Sequence, residues 1–144
     1  MTKEVLVHIS GLHLEVGNVM AEETETVEVV VPGTYYLKNG KHYILYEEIE
    51  EDGRGTKNQI KICEDGHVEI RKSGVLTAHL IFEEGEKHST VYQTPYGPLP
   101  VAMETRELKV HHSEEKICIE IDYRLDVQEE PLADCRIEIH ITAR

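Results

Sequence analysis

The stretch Glu115-Lys116-Ile117-Cys118-Ile119-Glu120-Ile121-Asp122-Tyr123-Arg124-Leu125-Asp126-Val127 decides the fold. Ile117, Ile119, Ile121, Tyr123, Leu125 and Val127 alternate with Lys116, Cys118, Glu120, Asp122, Arg124 and Asp126. Successive side chains of a strand point to opposite faces, so this alternation describes a strand with one dry and one wet face. The last segment repeats it: Cys135, Ile137, Ile139, Ile141 and Ala143 alternate with Arg136, Glu138, His140 and Thr142. Gln128-Glu129-Glu130-Pro131 lies between them, which predicts a hairpin. Cys118 then sits on the wet face and Cys135 on the dry one. Thiols on opposite faces of a sheet cannot bond without distortion.

Outward from this hairpin the same period continues, broken by turn signals. Asn39-Gly40 separates Tyr35–Lys38 from Lys41–Ile44, and Asn-Gly supplies the positive φ angles of a type I′ turn. Asp65-Gly66 separates Gln59–Cys63 from His67–Lys72 in the same way. Asp52-Gly53, Ser73-Gly74, Glu84-Gly85 and Pro95-Tyr96-Gly97-Pro98 mark further reversals. Eleven candidate segments result: 4–16, 24–31, 34–38, 41–49, 56–63, 67–73, 77–83, 87–93, 99–111, 115–127 and 133–143, some expected to merge. Residues 15–24 form the longest polar connection, with room for a short helical turn. Apolar parity flips at Gly11, and again between Met103 and Leu108. A β-bulge shifts parity in this way, and long bent strands favour closure. The expected fold is all-β: a single antiparallel barrel over residues 1–144, with eight to ten strands and little or no helix.

Composition narrows the partners. The 144 residues carry 28 acidic and 15 basic side chains, a formal net charge of −13 with the nine histidines neutral. Phosphate recognition needs a basic stripe, so nucleic acid is excluded as a partner, and anionic membranes are disfavoured. No apolar run is long enough for a spanning helix or a signal peptide, so a cytoplasmic location is expected. Cys63, Cys118 and Cys135 are odd in number and widely spaced, which fits reduced thiols better than disulfides.

The residues also carry a resemblance. Gly33-Thr34-Tyr35-Tyr36 and Tyr43-Ile44-Leu45-Tyr46-Glu47-Glu48, followed by Ser73-Gly74, Phe82, Tyr92-Gln93-Thr94-Pro95-Tyr96-Gly97 and Thr105, resemble the bacterial YwiB-like domains. That resemblance covers nearly the whole chain in order. It implies a lipocalin-like barrel of the calycin type and a domain of unknown function, with no catalytic residues to carry over. Where many members place arginine before Ser-Gly, this chain has Lys72, which cannot reproduce the guanidinium fork. Tryptophan is absent, so the Gly-x-Trp signature of true lipocalins is missing.

No sequence motif supplies catalysis. Gly-x-Ser-x-Gly, the P-loop and Gly-x-Gly-x-x-Gly do not occur. Cys-x-x-Cys, His-x-His and helical His-Glu-x-x-His are also absent, so no metal or cofactor is expected. Among the histidines, His8 and His140 stand out, because the first and last strands of such a barrel pair. Glu47 shares parity with Tyr43, Leu45 and Ile49 and could point inward against Arg71 or Lys72. Ile44, Tyr46 and Glu48 form an equally good inner row. A tyrosine-lined barrel offers apolar walls with hydroxyl handles. The candidate ligand-binding residues, in the interior or at the mouth, are Tyr43, Glu47, Lys72, Tyr92, Tyr96 and Thr105. The expected function is a non-enzymatic module for a small, partly apolar ligand. The alternative is an interaction protein acting as a homodimer, since Thr26–Val31 and His42–Glu48 are apolar at both parities. An enzyme built on Glu47 with Lys72 or Arg71 ranks last.

Overall fold

The computed structural model describes residues 2–15 and 24–144. The connection expected to carry a helical turn lies outside the described residues. Ten strands form one antiparallel sheet: β1 Thr2–Glu15, β2 Thr24–Lys38, β3 Lys41–Ile49, β4 Gly55–Ile62, β5 Val68–Gly74, β6 Ala78–Phe82, β7 Lys87–Thr94, β8 Gly97–His112, β9 Lys116–Val127 and β10 Glu130–Ala143. Their order is β6-β5-β4-β3-β2-β1-β10-β9-β8-β7. The first and last strands therefore pair within the sheet, with His8 opposite His140 as expected from closure. The two ends of the sheet are consecutive strands, β6 and β7. They are joined at one bridge, where Thr77 and Gln93 exchange backbone hydrogen bonds of 3.0 and 2.8 Å. The β6–β7 turn also bonds to β8, through Gly85 N to Thr105 O and Thr105 N to Glu86 O. The result is a nearly closed all-β barrel with no helix among the described residues.

Local chemistry explains most of this. At the β2–β3 turn Asn39 and Gly40 take φ of 53° and 76°, the left-handed pair that a type I′ turn requires. Segments 24–31 and 34–38 merge into β2 because the register with β1 runs unbroken through Pro32-Gly33. Gly33 pairs with Val5 on one side and Tyr46 on the other, and an added Cβ would lie 2.7 Å from the Leu45 carbonyl oxygen. The parity change in β8 is a bulge: the register with β9 shifts between Thr105 and Glu107, so Arg106 is the extra residue. A second shift, between Pro131 and Ala133, gives no sign in the sequence pattern. The bulge expected at Gly11 is not there. Gly11 pairs with Ile137 and Val27 within unbroken registers on both sides, which leaves no strand with two residues facing one.

The barrel axis is filled. Phe82, Ile44, Ile60, Met103, Ile119, Ile121, Ile139, Val7 and Val68 are all fully buried. Phe82 meets Tyr123 edge-on, with ring centroids 5.0 Å apart. None of the three cysteines forms a disulfide. Cys135 is buried and Cys118 half-buried, as their opposite parities require.

Candidate functional site at the barrel mouth

The inward rows decide where the expected site residues go. In β3 Ile44 and Tyr46 are buried and Glu48 is half-buried, while Leu45 and Glu47 are exposed. The inner row is therefore Ile44-Tyr46-Glu48, and Glu47 stands on the outer face opposite Lys57 of β4. Tyr43 is also on the outer face, stacked on Tyr36 at 4.8 Å with the rings 9° from parallel. Tyr96 is fully exposed at the tip of the β7–β8 turn. Three of the candidates do point inward. Tyr92 packs against the core, where burial and then Cys135 raise its hydroxyl pKa. Thr105 is 1% exposed, and its hydroxyl has no hydrogen-bond partner. Lys72, with 18% of its side chain exposed, enters the barrel from β5.

Lys72 is held by a partner the inner row supplies. Its Nζ donates to Asn58 Oδ1 at 2.8 Å and to Glu48 Oε1 at 3.4 Å, and Asn58 Nδ2 donates to Glu48 Oε1 at 3.0 Å. Asn58 is fully buried and also donates to the Thr56 carbonyl. A buried charge must be paired and hydrogen-bonded, and this triad satisfies lysine, amide and carboxylate together. Burial, and secondarily Glu48, raises the pKa of the neighbouring Tyr46 hydroxyl. The triad lies at this end of the barrel, where β3, β4 and β5 bring its members together.

The opposite end is open. There the inner rows end in Lys3 and Val5 of β1, Tyr35 of β2, His42 of β3, His112 of β8, and Ile117 and Ile141 of β9 and β10. These side chains, with the β8–β9 turn, line a partly enclosed cavity of about 60 Å³. Its floor is Val5, Ile117 and Ile141, part of the buried core. Its wall is polar. Tyr35 Oη and His42 Nδ1 are 2.7 Å apart, and the His42 and His112 rings lie 5.2 Å apart. Lys3 Nζ donates to the Glu114 carbonyl at 3.2 Å and lies 6.0 Å from the Tyr35 ring centre. Burial, and then the His112 charge, lowers the His42 pKa; burial raises that of Tyr35. At neutral pH the pair is thus a neutral imidazole bonded to a neutral phenol. Lys3, Tyr35, His42 and His112 are not among the ligand residues expected from the sequence. The signal was present: His42 and His112 extend the apolar rows Ile44-Tyr46 and Leu108-Val110 by one inward position at the strand ends.

An antiparallel, nearly closed barrel of ten strands, with a polar triad at one end and a small half-apolar cavity at the other, has lipocalin-like architecture. The chain belongs to the family described as Domain of unknown function (DUF1934), which it matches over residues 13–139. It is similar to the uncharacterized beta-barrel protein YwiB of Bacillus subtilis strain 168, at 28% identity over 126 residues, covering 88% of this chain and 84% of that one. The crystal structure of the ywiB protein from Bacillus subtilis shares the fold, with a TM-score of 0.85 at 24% identity over 99% of this chain and 93% of that one. Among the described residues no helix is long and apolar enough to cross a membrane.

Proposed function

We propose that the protein is a non-enzymatic cytoplasmic binding module that takes the acidic end of a small, partly apolar molecule at the open mouth. One observation carries this reading: the inner rows end there in Lys3, Tyr35, His42 and His112 above a floor of core side chains. Binding sites combine apolar walls with a few placed polar groups, and this mouth has both. The filled axis limits the ligand to a short end group rather than an enclosed chain. A carboxylate placed there would meet the Lys3 ammonium and two imidazoles that can donate to it. The test is a thermal-shift and calorimetric panel of short aliphatic carboxylates against the wild type, His42→Ala and Tyr35→Phe. The expected result is stabilisation of the wild type that is lost in His42→Ala. No binding by any member, or equal binding by His42→Ala, overturns the reading.

A second reading is favoured by a separate observation. Leu6, Val30 and Leu45 are exposed on the outer face of β1–β3, and the register brings them beside Pro32 and Thr34. An apolar patch of this kind marks an interaction surface, here for a second copy of the chain. Sedimentation that shows a dimer dissociated by Leu45→Glu supports it, and a monomer at all concentrations refutes it.

A further inference from the structure

The β4–β5 hairpin carries a side-chain group unrelated to the barrel mouth. Cys63 follows β4, His67 precedes β5, Glu69 lies in β5 and His79 in β6. Their inward neighbours Ile62, Val68, Ile70 and Leu80 are buried, so all four side chains project from the outer face. Cys63 Sγ, a His67 ring nitrogen and a Glu69 carboxylate oxygen lie within 4.8 Å of one another. Cys63 Sγ is 3.6 Å and His67 Nε2 is 3.0 Å from the same oxygen, Glu69 Oε2. Ligand bonds of about 2.0–2.3 Å in a tetrahedron place donor atoms about 3.3–3.7 Å apart, so the three donors stand near ligating distance of a common point.

The surroundings orient these donors. His67 Nδ1 is 2.5 Å from Asp65 Oδ1, which leaves Nε2 facing Glu69. A metal-ligating histidine commonly has its second nitrogen fixed by a carboxylate in this way. The other Glu69 oxygen, Oε1, is 2.6 Å from His79 Nε2. The turn is closed by hydrogen bonds: Gly66 N donates to the Cys63 carbonyl, Cys63 N to the His67 carbonyl, and His67 N to Asp65 Oδ1, each at 3.0 Å. Lys61 Nζ, 4.0 Å from Glu69 Oε2, is a cation that would have to swing aside.

We propose that Cys63, His67 and Glu69 form a binding site for a thiophilic divalent transition ion of the zinc class. A thiolate, an imidazole and a carboxylate are a donor set that suits Zn²⁺. Asp65 and His79 are positioning residues, one holding the His67 ring and the other the Glu69 carboxylate. Three protein donors leave a fourth position for water. Without metal, burial and then Glu69 raise the Cys63 thiol pKa. Burial opposes the charging of His67, but the Glu69 and Asp65 carboxylates outweigh it and raise its pKa. Binding therefore displaces the thiol proton and, where His67 is charged, a proton from its ring: M²⁺ replaces H⁺ on sulfur and nitrogen, with no change of oxidation state. No spacing within a single strand announces this set, because its donors lie on both sides of a turn.

The experiment uses the chelator-stripped chain with Co²⁺ and Zn²⁺ alone. Expected are one Co²⁺ per chain with a thiolate-to-cobalt charge-transfer band and a rise in melting temperature with Zn²⁺. The charge-transfer band vanishes in Cys63→Ser. Affinity falls at least about 100-fold in His67→Ala, and about 10- to 100-fold in Asp65→Asn, where only the supporting carboxylate is altered. His8→Ala, on β1 opposite His140, leaves binding unchanged. None of the changed residues is buried, and circular dichroism checks that each variant is folded. No stoichiometric binding, binding without charge transfer, equal affinity in His67→Ala, or loss in His8→Ala overturns the proposal.

Discussion

Phe82 decides whether this barrel is filled or merely narrow. It is the chain's single phenylalanine, is fully buried, and meets Tyr123 edge-on at 5.0 Å. Phe82→Ala removes a side chain whose burial is worth about 2–3 kcal/mol. Loss of the edge-on aromatic contact adds about 1 kcal/mol. If half of a ~100 Å³ void survives relaxation, the cavity adds about 1.2 kcal/mol at 24 cal/mol per Å³. The expected loss is about 4–5 kcal/mol, read from urea unfolding at neutral pH. Phe82→Leu keeps most of the volume and should cost far less. The cavity left by Phe82→Ala is apolar and dry, and such cavities take up benzene. Benzene should therefore raise the melting temperature of Phe82→Ala and leave the wild type unchanged. A loss below about 2 kcal/mol, or a benzene-stabilised wild type, would mean that the axis is not close-packed. In that case an internal ligand chamber returns as the better reading.

Three further outcomes are expected. Thr105→Val removes a buried hydroxyl that has no partner and should raise stability by about 1 kcal/mol; a loss in urea titration would mean the hydroxyl is bonded in solution. Gln128 and Glu129 take φ of 52° and 71° at the β9–β10 turn, and Gln128→Asn with Glu129→Gly relieves a left-handed pair of side chains. The gain should be about 1 kcal/mol, a rise of roughly 3–5 °C in Tm by calorimetry, and an unchanged Tm refutes it. At Glu69 burial raises the carboxyl pKa, but hydrogen bonds from His67 and His79 and the Lys61 charge outweigh it, to about 2 from an ordinary 4.5. A depressed carboxylate stabilises the fold above its unfolded value, and the gain is lost as pH falls through the folded one. The stability gap between wild type and Glu69→Gln, measured by urea unfolding, should hold at pH 6 and close between pH 4.5 and 2; a constant gap counts against the network.

Strand period and turn chemistry were legible because each acts locally. Ile117–Val127 announces its dry face by alternation alone, and Asn39-Gly40 announces its turn by the angles it tolerates. Glu47 misled because β3 is apolar at both parities: Tyr43 and Leu45 cover an outer face that the neighbouring Tyr36 also makes partly apolar. Parity reads a strand only where one of its faces is wet. Asp126 shows the converse. It falls among polar residues, yet its side chain is buried on the outer face, paired with Lys87 at 2.9 Å and Arg124 at 3.0 Å. Alternation could not show that these cations would cover it.

The barrel mouth and the hairpin cluster differ in how far the sequence announces them. Lys3, Tyr35, His42 and His112 come from four strands and converge only when β1 and β10 close the sheet. Cys63, His67 and Glu69 need only one hairpin, and the sequence did contain their signal. The loop between β4 and β5 is the three residues Glu64-Asp65-Gly66, and Cys63 stands directly opposite His67 across it, so a thiol before this turn and an imidazole after it are neighbours by construction. The loops at one end of a barrel are free to vary while the strands hold register. A donor set built on the hairpin stems is placed by the same hydrogen bonds that hold the barrel, and it keeps its spacing whether or not the mouth is occupied. The metal titration and the carboxylate panel therefore read two independent parts of the molecule: His42→Ala should leave Co²⁺ binding intact, and Cys63→Ser should leave the carboxylate response intact. Coupling between them would mean that the strand ends near Gly40 and Glu64, where the two turns touch, transmit a change from one site to the other.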